Sequence, residues 1–374
     1  MPLADAKCTN CGINLSVDNT KDAAICKHCG SAFIVEKAIN YYNITNNIKA
    51  NAVNMYGGNS ADFQIRAGKL EKYNGASTNV VIPNSVSHIG SGAFKGCSGL
   101  TNITIPNSVT QIAAGAFKGC SSLTSITIPS SVTQIGDDFF WGCSSLASVN
   151  LPNSVTYIGE NAFNGCSSLT SITIPHSFTQ IGKNAFRNCS GLTSIKIPNG
   201  ITQIGEYAFS GCRSLTNITL SRSLNKIGYG AFSDCSCLTN ITIPDGVTKI
   251  NANTFSGCSS LTSITLPNNV IQIGMEAFKD CRSLTNISIP NSVPKIEYGA
   301  FKNCSSLTEV DYEYANKCID CFENTPYYKE WKEQQTKKQA QQALQKDGLC
   351  LICGGQFKGI FNKVCSKCGK PKNY

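Results

Sequence analysis

The residues of this sequence whose types and spacing are best suited to chemistry are its cysteines. The chain of 374 residues contains 21 of them. Four Cys-x-x-Cys-Gly motifs lie near the two ends and supply eight of these thiols: Cys8, Cys11, Cys26, Cys29, Cys350, Cys353, Cys365 and Cys368. A Cys-x-x-Cys turn presents two thiolates to one metal ion, and the glycine after it permits the positive φ that the turn needs. Each pair of motifs therefore matches the four thiolates that Zn²⁺ binds in a tetrahedron.

We predict two structural zinc ions, one held by residues 1–37 and the other by residues 348–374. A four-thiolate site is closed, whereas catalysis at zinc needs an open position for water. Metal binding supplies the folding free energy of segments too short to fold by themselves. We therefore expect each ion to hold a small module together and to perform no reaction.

All of the other cysteines except Cys237 follow two patterns. Ten recur at an unbroken spacing of 23 residues: Cys97, Cys120, Cys143, Cys166, Cys189, Cys212, Cys235, Cys258, Cys281 and Cys304. This period predicts a solenoid, and we interpret these ladder cysteines as small buried hydrophobic residues. Cys318 and Cys321 have the spacing of a redox pair or of half a metal site, but they fall where the repeat ends. The sequence leaves open whether they react or only close the last turn.

The elements that position the ladder are visible in the repeat unit Ala116–Asp138. Ile126 and Ile128 alternate with Thr127, which is typical of a short strand with two residues facing the core and one facing solvent. Pro129 removes a backbone donor and ends the strand. A second short extended piece, Val132–Ile135, follows before the chain turns. About eleven such turns, stacked so that each buries the apolar residues of its neighbour, give a mainly β solenoid.

The repeat pattern Ala-Phe-x-x-Cys-x-x-Leu-x-x-Ile-x-Ile-Pro-x-x-Val-x-x-Ile-Gly resembles the BspA-like class of bacterial leucine-rich repeats. The resemblance runs from Ala61 to about Tyr328. It implies a leucine-rich repeat solenoid and, for function, only a binding or adhesive surface. The two cysteine-rich ends resemble zinc-ribbon segments of assorted bacterial proteins.

Five segments follow from these patterns. They are an N-terminal zinc ribbon (1–37), an Asn-rich linker or oligomerisation segment (38–60), the solenoid (61–325), a spacer helix (326–347) and a C-terminal zinc ribbon (348–374). Pro326 at the first helical position and Gly348 just past the end delimit the helix. Within the linker, residues 40–60 fit neither a clean helix nor a clean strand, and a strand there that pairs with a second copy is one alternative.

Two surfaces are candidates for binding. The outward strand positions carry small polar side chains, and the candidates for partner binding are Asn102, Thr104, Ser125, Thr127, Ser171 and Thr173. The same residue types also serve simply to solvate a sheet face. The C-terminal ribbon carries five lysines and no acid after Cys350: Lys358, Lys363, Lys367, Lys370 and Lys372. These lysines could contact nucleic-acid phosphates, or only keep the segment soluble.

Composition and charge narrow the function. The formal net charge is +9, and two zinc tetrathiolates lower it to about +5. The chain has three histidines, no paired carboxylates and no nucleophile motif, which argues against an enzyme. No apolar signal segment or stretch of 18 apolar residues is present, so we expect a cytoplasmic protein outside the membrane. The sequence thus predicts a non-enzymatic protein–protein interaction scaffold, with a nucleic-acid-binding adaptor as the alternative.

Overall fold

The computed structural model describes residues 3–7, 14–18, 23–25, 32–34, 60–311, 318–346, 351, 353–358, 364–368 and 370. The chain divides into two compact units, Met1–Met55 and Tyr56–Tyr374. Residues 38–59 of the predicted linker lie outside the described residues.

The first unit contains two short antiparallel hairpins. Strand β1 (Leu3–Lys7) pairs with β2 (Asn14–Asp18), and β3 (Ala23–Ile25) pairs with β4 (Ala32–Ile34). In the sequence, one Cys-x-x-Cys-Gly motif connects the strands of each hairpin. The four cysteines of these motifs lie outside the described residues, so the N-terminal zinc site stays a prediction.

The second unit begins with a hairpin that covers the first turn of the solenoid. After a 3₁₀ turn at Ser60–Asp62, strand β5 (Phe63–Arg66) pairs antiparallel with β6 (Lys69–Tyr73). Strand β6 then pairs in parallel with His88–Ile89, the second short strand of the first repeat. Phe63 and Tyr73 are buried and their rings are 5.1 Å apart, so the hairpin closes this end of the core.

Each full turn of the solenoid, which we call a rung, has up to two short parallel strands. The first strands are Asn79–Val81, Asn102–Thr104, Ser125–Thr127, Ser148–Asn150, Ser194–Lys196, Asn217–Thr219, Asn240–Thr242, Ser263–Thr265, Asn286–Ser288 and Glu309–Asp311. The second strands are His88–Ile89, Gln111–Ile112, Gln180–Ile181, Gln203–Ile204, Lys226–Ile227, Lys249–Ile250 and Gln272–Ile273. Paired residues are 23 apart, as in Ile126↔Val149. The structure therefore confirms a mainly β solenoid of about eleven turns.

Two details differ from the sequence prediction. Residues 171–173 do not form a strand, although Ser171 and Thr173 are exposed and Ile172 is buried as predicted. The second extended piece shortens to a single bridge in some rungs, as between Ile135 and Ile158. The alternation of burial survives at both places because side chains that pack in the core hold the backbone even where the ladder is interrupted.

One hydrophobic core runs through the solenoid from Phe63 to Phe322. The phenylalanine three residues before each ladder cysteine stacks on its counterparts in adjacent rungs, with centroids 5.1–5.7 Å apart. Ladder cysteines 120 to 304 are fully buried, which confirms them as core residues. Their thiols also donate to the carbonyl of the phenylalanine 26 residues earlier, at 3.1–3.2 Å. A cysteine thus fills the core and satisfies a buried acceptor.

Each rung contains two residues with positive φ. One lies five residues before the ladder cysteine and the other lies immediately before it, as at Gly115 (64°) and Gly119 (75°). Glycine, asparagine and aspartate occupy nearly all of these positions because they tolerate the left-handed region. The exceptions are Tyr207 and Glu276, both at φ 53°. These two side chains are placed where the backbone disfavours them.

The C-terminal end of the core is closed by a short 3₁₀ helix, Ile319–Phe322. The Phe322 ring stacks on Phe301 at 5.2 Å, and the Cys321 carbonyl accepts from the Phe301 amide. Cys321 and Phe322 therefore replace the Ala-Phe pair of a further repeat, so the Cys318–Cys321 region forms the closing turn.

Helix α1 (Pro326–Lys346) follows and confirms the predicted helix. The Thr325 hydroxyl accepts from the Tyr328 amide at its start, at 3.0 Å. No helix among the described residues is sufficiently long and apolar to cross a membrane. A last antiparallel pair, Phe357–Lys358 with Val364–Cys365, includes Cys365.

Candidate functional site

Three of the predicted C-terminal zinc ligands lie together. The sulfur atoms of Cys353, Cys365 and Cys368 are all within 4.8 Å of one another. The Cys353 and Cys365 sulfurs are 3.3 Å apart, and none of these three described cysteines is in a disulfide. The Lys367 amide donates to the Cys365 sulfur at 3.4 Å, as expected for a turn that wraps its backbone around a thiolate. The fourth predicted ligand, Cys350, lies outside the described residues.

The surroundings of the cluster fit a thiophilic divalent ion. Burial by itself raises the pKa of Cys365, but amide donors from Cys368 and Lys367 and the neighbouring thiols outweigh it, and the pKa falls to about 6. A side chain at Gly355 would meet the Cys365 sulfur at 2.7 Å, so only glycine leaves the space free. Gly354 follows Cys353 with φ 66°, the conformation that the motif requires. These thiols could hold a metal ion such as Zn²⁺.

Three of the five lysines of the C-terminal segment belong to the described residues and lie close in sequence to Cys365 and Cys368 or on the paired strand. Lys358, Lys367 and Lys370 are exposed. Lys363 and Lys372 lie outside the described residues. The described part therefore carries positive charge on the surface next to the thiols.

The first candidate surface is the strand face, defined as the outward side chains of the first strand, or of the equivalent residues where no strand forms, in each rung. Asn102, Thr104, Ser125, Thr127, Ser171 and Thr173 are all exposed there. The side chains also pair along the ladder, as where Asn102 Nδ2 donates to Asn79 Oδ1 at 2.8 Å. The exposed position of these six residues is confirmed, and their role in partner binding stays a prediction.

A second surface was missed by the sequence analysis. We call it the turn face; it comprises the exposed residue of each second strand and the exposed side chains from there to the next ladder cysteine. It carries large apolar residues: Trp141, Tyr229, Met275 and Tyr298 are 42%, 37%, 49% and 56% exposed. The consensus repeat does not show them, because the residue at each of these positions is small or polar in most other rungs. Comparison of each position down the rungs would have revealed them.

Polar and aromatic groups are arranged closely at the centre of the turn face. The Tyr207 and Tyr229 rings meet edge to face at 5.0 Å, and the Arg187 guanidinium lies 5.2 Å from the Tyr207 centroid. Asn253 Nδ2 donates to the Tyr229 hydroxyl at 2.5 Å. A hollow of about 520 Å³ opens beside Tyr229 and is also lined by Tyr157, Glu160, Lys183, Glu206 and Lys226. This region can bind a ligand through aromatic rings and charged groups together.

Two other pairs of residues are of types that can react, but their contacts indicate structural roles. The Ser87 hydroxyl lies 2.8 Å from His88 Nδ1, and it also lies 3.3 Å from the Gly68 carbonyl. This contact joins neighbours in sequence and resembles a local turn contact. A hydrogen bond with Cys321 lowers the pKa of Cys318 despite partial burial. Cys321 itself is buried and lies 3.3 Å from the Ile296 carbonyl, as a structural residue would.

Comparisons with known proteins address the solenoid. The model of the BspA type leucine rich repeat region, in six copies, matches residues 72–193, 179–308 and 228–342. Curated proteins provide no match.

Solved structures of several leucine-rich repeat proteins are similar to this chain. A protein of T. pallidum is 32% identical, with 48% of this chain and 89% of that chain covered and a TM-score of 0.46. A leucine rich cell surface protein from Faecalibacterium prausnitzii is 28% identical, with 75% and 98% covered and a TM-score of 0.45. One from Bacteroides ovatus is 30% identical, with 66% and 83% covered and a TM-score of 0.40. Since the family model covers more than half of the chain, this protein belongs to the BspA type leucine-rich repeat family.

Proposed function

We propose that the chain is a non-enzymatic protein–protein interaction scaffold. The observation that carries this proposal is that each rung separates a buried apolar core from two exposed faces. A continuous core from Phe63 to Phe322 takes up the apolar residues, and both of its ends are closed. The two exposed faces therefore rest on a backbone that is fixed from rung to rung, which is how repeat proteins present extended binding surfaces.

The terminal cysteines form structural zinc sites in this proposal. Cys350, Cys353, Cys365 and Cys368 hold one ion, supported by the three thiols that lie within 4.8 Å of one another. Cys8, Cys11, Cys26 and Cys29 hold the second, on the strength of their spacing. The ions order small end modules, and no reaction is assigned to them.

Partner capture tests the scaffold. The tagged full-length chain is used to isolate bound protein from cells that make it, and the bound protein is identified by mass spectrometry. We expect a defined partner at constant stoichiometry. A chain carrying Thr127→Arg and Thr173→Arg tests the strand face, because two long charged side chains there would block a partner seated on it. Recovery of nothing beyond the untagged background would contradict the scaffold.

A nucleic-acid adaptor is a second candidate, favoured by the exposed Lys358, Lys367 and Lys370 beside the thiol cluster. Together with Lys363 and Lys372 they would contact phosphates. Such binding weakens steeply between about 50 and 200 mM salt. Fluorescence anisotropy with single- and double-stranded oligonucleotides measures it, and replacement of the five lysines by glutamine should abolish it. Absence of binding at low salt would remove this candidate.

Two further expectations belong to the same proposal. We place the protein in the cytoplasm, where the glutathione and thioredoxin systems keep thiols such as the ladder cysteines reduced. For residues 40–60 we propose either a linker or a segment that pairs with a second copy. Sedimentation of the full chain and of a chain with Ile44→Asp and Ile48→Asp distinguishes a dimer formed there from a monomer.

A further inference from the structure

The turn face changes character along the solenoid. The residue six before each ladder cysteine is Ser91, Ala114, Asp137, Glu160, Lys183 and Glu206 in the first rungs, and then Tyr229, Ala252, Met275 and Tyr298. The last four, which we call the turn strip, are aligned by backbone hydrogen bonds. Gly230 N donates to Ala252 O at 3.0 Å, Asn253 N to Met275 O at 2.9 Å, and Glu276 N to Tyr298 O at 3.2 Å. At about 4.8 Å per rung, the strip is an apolar band about 14 Å long.

A second position changes within the same rungs. This position is the residue just before the buried isoleucine of the second strand or of its equivalent. It is His88, Gln111, Gln134, Tyr157, Gln180 and Gln203 in the first rungs, followed by Lys226, Lys249, Gln272 and Lys295. We call the three lysines the lysine row. All three are exposed, and no carboxylate in the described part of the chain lies within ion-pair distance of any of them.

The lysine row and the turn strip are adjacent. The Glu297 carboxylate accepts from Gln272 Nε2, in line with the row, at 2.7 Å and from the Met275 amide, in the strip, at 3.0 Å. Lys226 and Tyr229 line the same hollow. The two features therefore form one surface, with apolar groups along one side and ammonium groups along the other.

Three carboxylates beside this surface, those of Glu276, Glu297 and Glu323, are already engaged. Glu276 pairs with Lys279 at 3.0 Å, and Glu323 pairs with Lys302 at 2.8 Å. Glu297 accepts two hydrogen bonds from neutral donors. Three unpaired lysines thus leave a surplus of positive charge beside exposed Tyr and Met side chains. Aromatic residues and methionine are enriched at the centres of protein interfaces, and exposed apolar patches of this kind mark them.

We propose that the surface formed by the turn strip and the lysine row binds an acidic protein segment whose apolar side chains alternate with carboxylates. Charge complementarity selects this occupant: carboxylates neutralise the lysine row, and apolar side chains cover Tyr229, Met275 and Tyr298. The inference rests on the proposed scaffold function and assigns its partner surface to the turn face rather than to the strand face.

Selection of random 12-residue peptides displayed on phage, against the immobilised full-length chain, tests the proposal. The critical variant is Lys226→Gln, Lys249→Gln and Lys295→Gln together. Glutamine occupies the same position in the Gln203 and Gln272 rungs, so the variant should keep the fold. Its matched control is Lys196→Gln, an exposed lysine on the strand face. We expect enriched peptides to carry acidic and apolar residues and to lose at least about tenfold in affinity on the triple variant but not on the control.

Several results would overturn the proposal. They are enrichment of neutral or basic peptides, affinity unchanged by the triple variant, and no enrichment at all. Peptides that bind only the strand face, and are lost on Thr127→Arg, would overturn this assignment while the scaffold function stands. A dimer of the full chain that the triple variant dissociates would show a second copy as the occupant instead. The scaffold itself falls only if partner capture from cells also fails.

Discussion

The strand face and the turn face share the same rungs and differ in how much they vary. Thr265 on the strand face and Met275 on the turn face belong to one rung. Strand-face positions repeat Ser or Asn and Thr, because each side chain there lies beside its own counterpart and must suit it, as Asn102 suits Asn79. On the turn face, the charged residues of the middle rungs, such as Glu206, are replaced in the later rungs by apolar residues such as Met275, and lysines appear beside them. The strand-face residues are thus uniform because adjacent copies must pack against each other. The turn-face residues can vary, and this face can therefore be specific for one partner.

Alkaline pH should affect both faces at once, because both rest on the ladder thiols. Burial raises the pKa of Cys212 to about 12, and it also raises the pKa of Cys166, Cys189, Cys235, Cys258 and Cys281. Unfolded cysteine titrates near pH 8.5. The stabilisation is complete below that pH and is lost as pH rises towards the folded pKa, at about 1.4 kcal/mol per thiol per pH unit. Urea unfolding at pH 7.5 and 10 should show a loss of about 5 kcal/mol or more.

The control for this prediction is a chain with Cys189→Ala and Cys212→Ala, in which the pH dependence should be weaker because two titrating groups are gone. An unfolding free energy that is equal at both pH values would contradict the role of the buried thiols.

The next largest expected effect on stability comes from a substitution that leaves a cavity in the core beneath both faces. Phe209 is fully buried and stacks between Phe186 and Phe232, each at 5.4 Å. Phe209→Ala should lower the free energy of unfolding by about 3–5 kcal/mol, because it removes buried apolar area and leaves a void. Urea denaturation followed by circular dichroism measures the change. The exposed Thr219→Ala in the same region should change it by less than about 0.5 kcal/mol. Equal effects would refute the separation of core from surface.

A direct test of the two faces compares substitutions within one rung. Met275→Ala should weaken binding of the selected acidic peptides by roughly 2 kcal/mol, or about thirtyfold, if Met275 is a buried anchor in the complex. Thr265→Ala should change it by less than about threefold. Alanine occupies the Met275 position in the Ala252 rung, so the fold should tolerate it. Isothermal titration calorimetry gives both affinities, and a larger loss with Thr265→Ala would reverse the comparison.

The smallest expected effect concerns the strained turn. Glu276 has φ 53°, where Asn161, Asn184 and Asn253 stand in other rungs. Glu276→Asn should raise the free energy of unfolding by about 0.5 kcal/mol, since asparagine suits the left-handed region and the partly exposed pair with Lys279 contributes little. It should also strengthen acidic-peptide binding, because a carboxylate beside the turn strip is removed. A loss of more than about 1 kcal/mol in urea unfolding would contradict this account.

The sequence was sufficient to predict the features that repeat. The 23-residue period predicted the stacked rungs, and the alternation around Thr127 predicted which side chains face solvent. Pro326 predicted the start of the helix, which the structure places at Pro326–Lys346. These signals are local and recur in many rungs, so packing reinforces each of them. The Cys-x-x-Cys-Gly spacing also predicted the cluster of Cys353, Cys365 and Cys368.

The remaining features depend on contacts between rungs or on departures from the consensus. The bond from Cys189 to the Phe163 carbonyl joins residues 26 apart, and no local pattern encodes it. Cys321 joins the closing turn only because Phe322 continues the phenylalanine stack after a shortened spacing. The turn strip is not visible in the consensus repeat, because the position that holds Tyr229 and Met275 holds other residues, such as Glu206, in most rungs.

The most direct test of the central claim, that this solenoid recognises a protein partner through its turn face, is site-specific photo-crosslinking in cells that make the chain. A benzophenone amino acid replaces Met275 in one full-length chain and Thr265 in another. We predict a crosslinked protein partner from position 275, with an acidic segment at the point of attachment identified by mass spectrometry, and little crosslinking from position 265. Crosslinking from position 265 alone, or from neither position, would contradict the account.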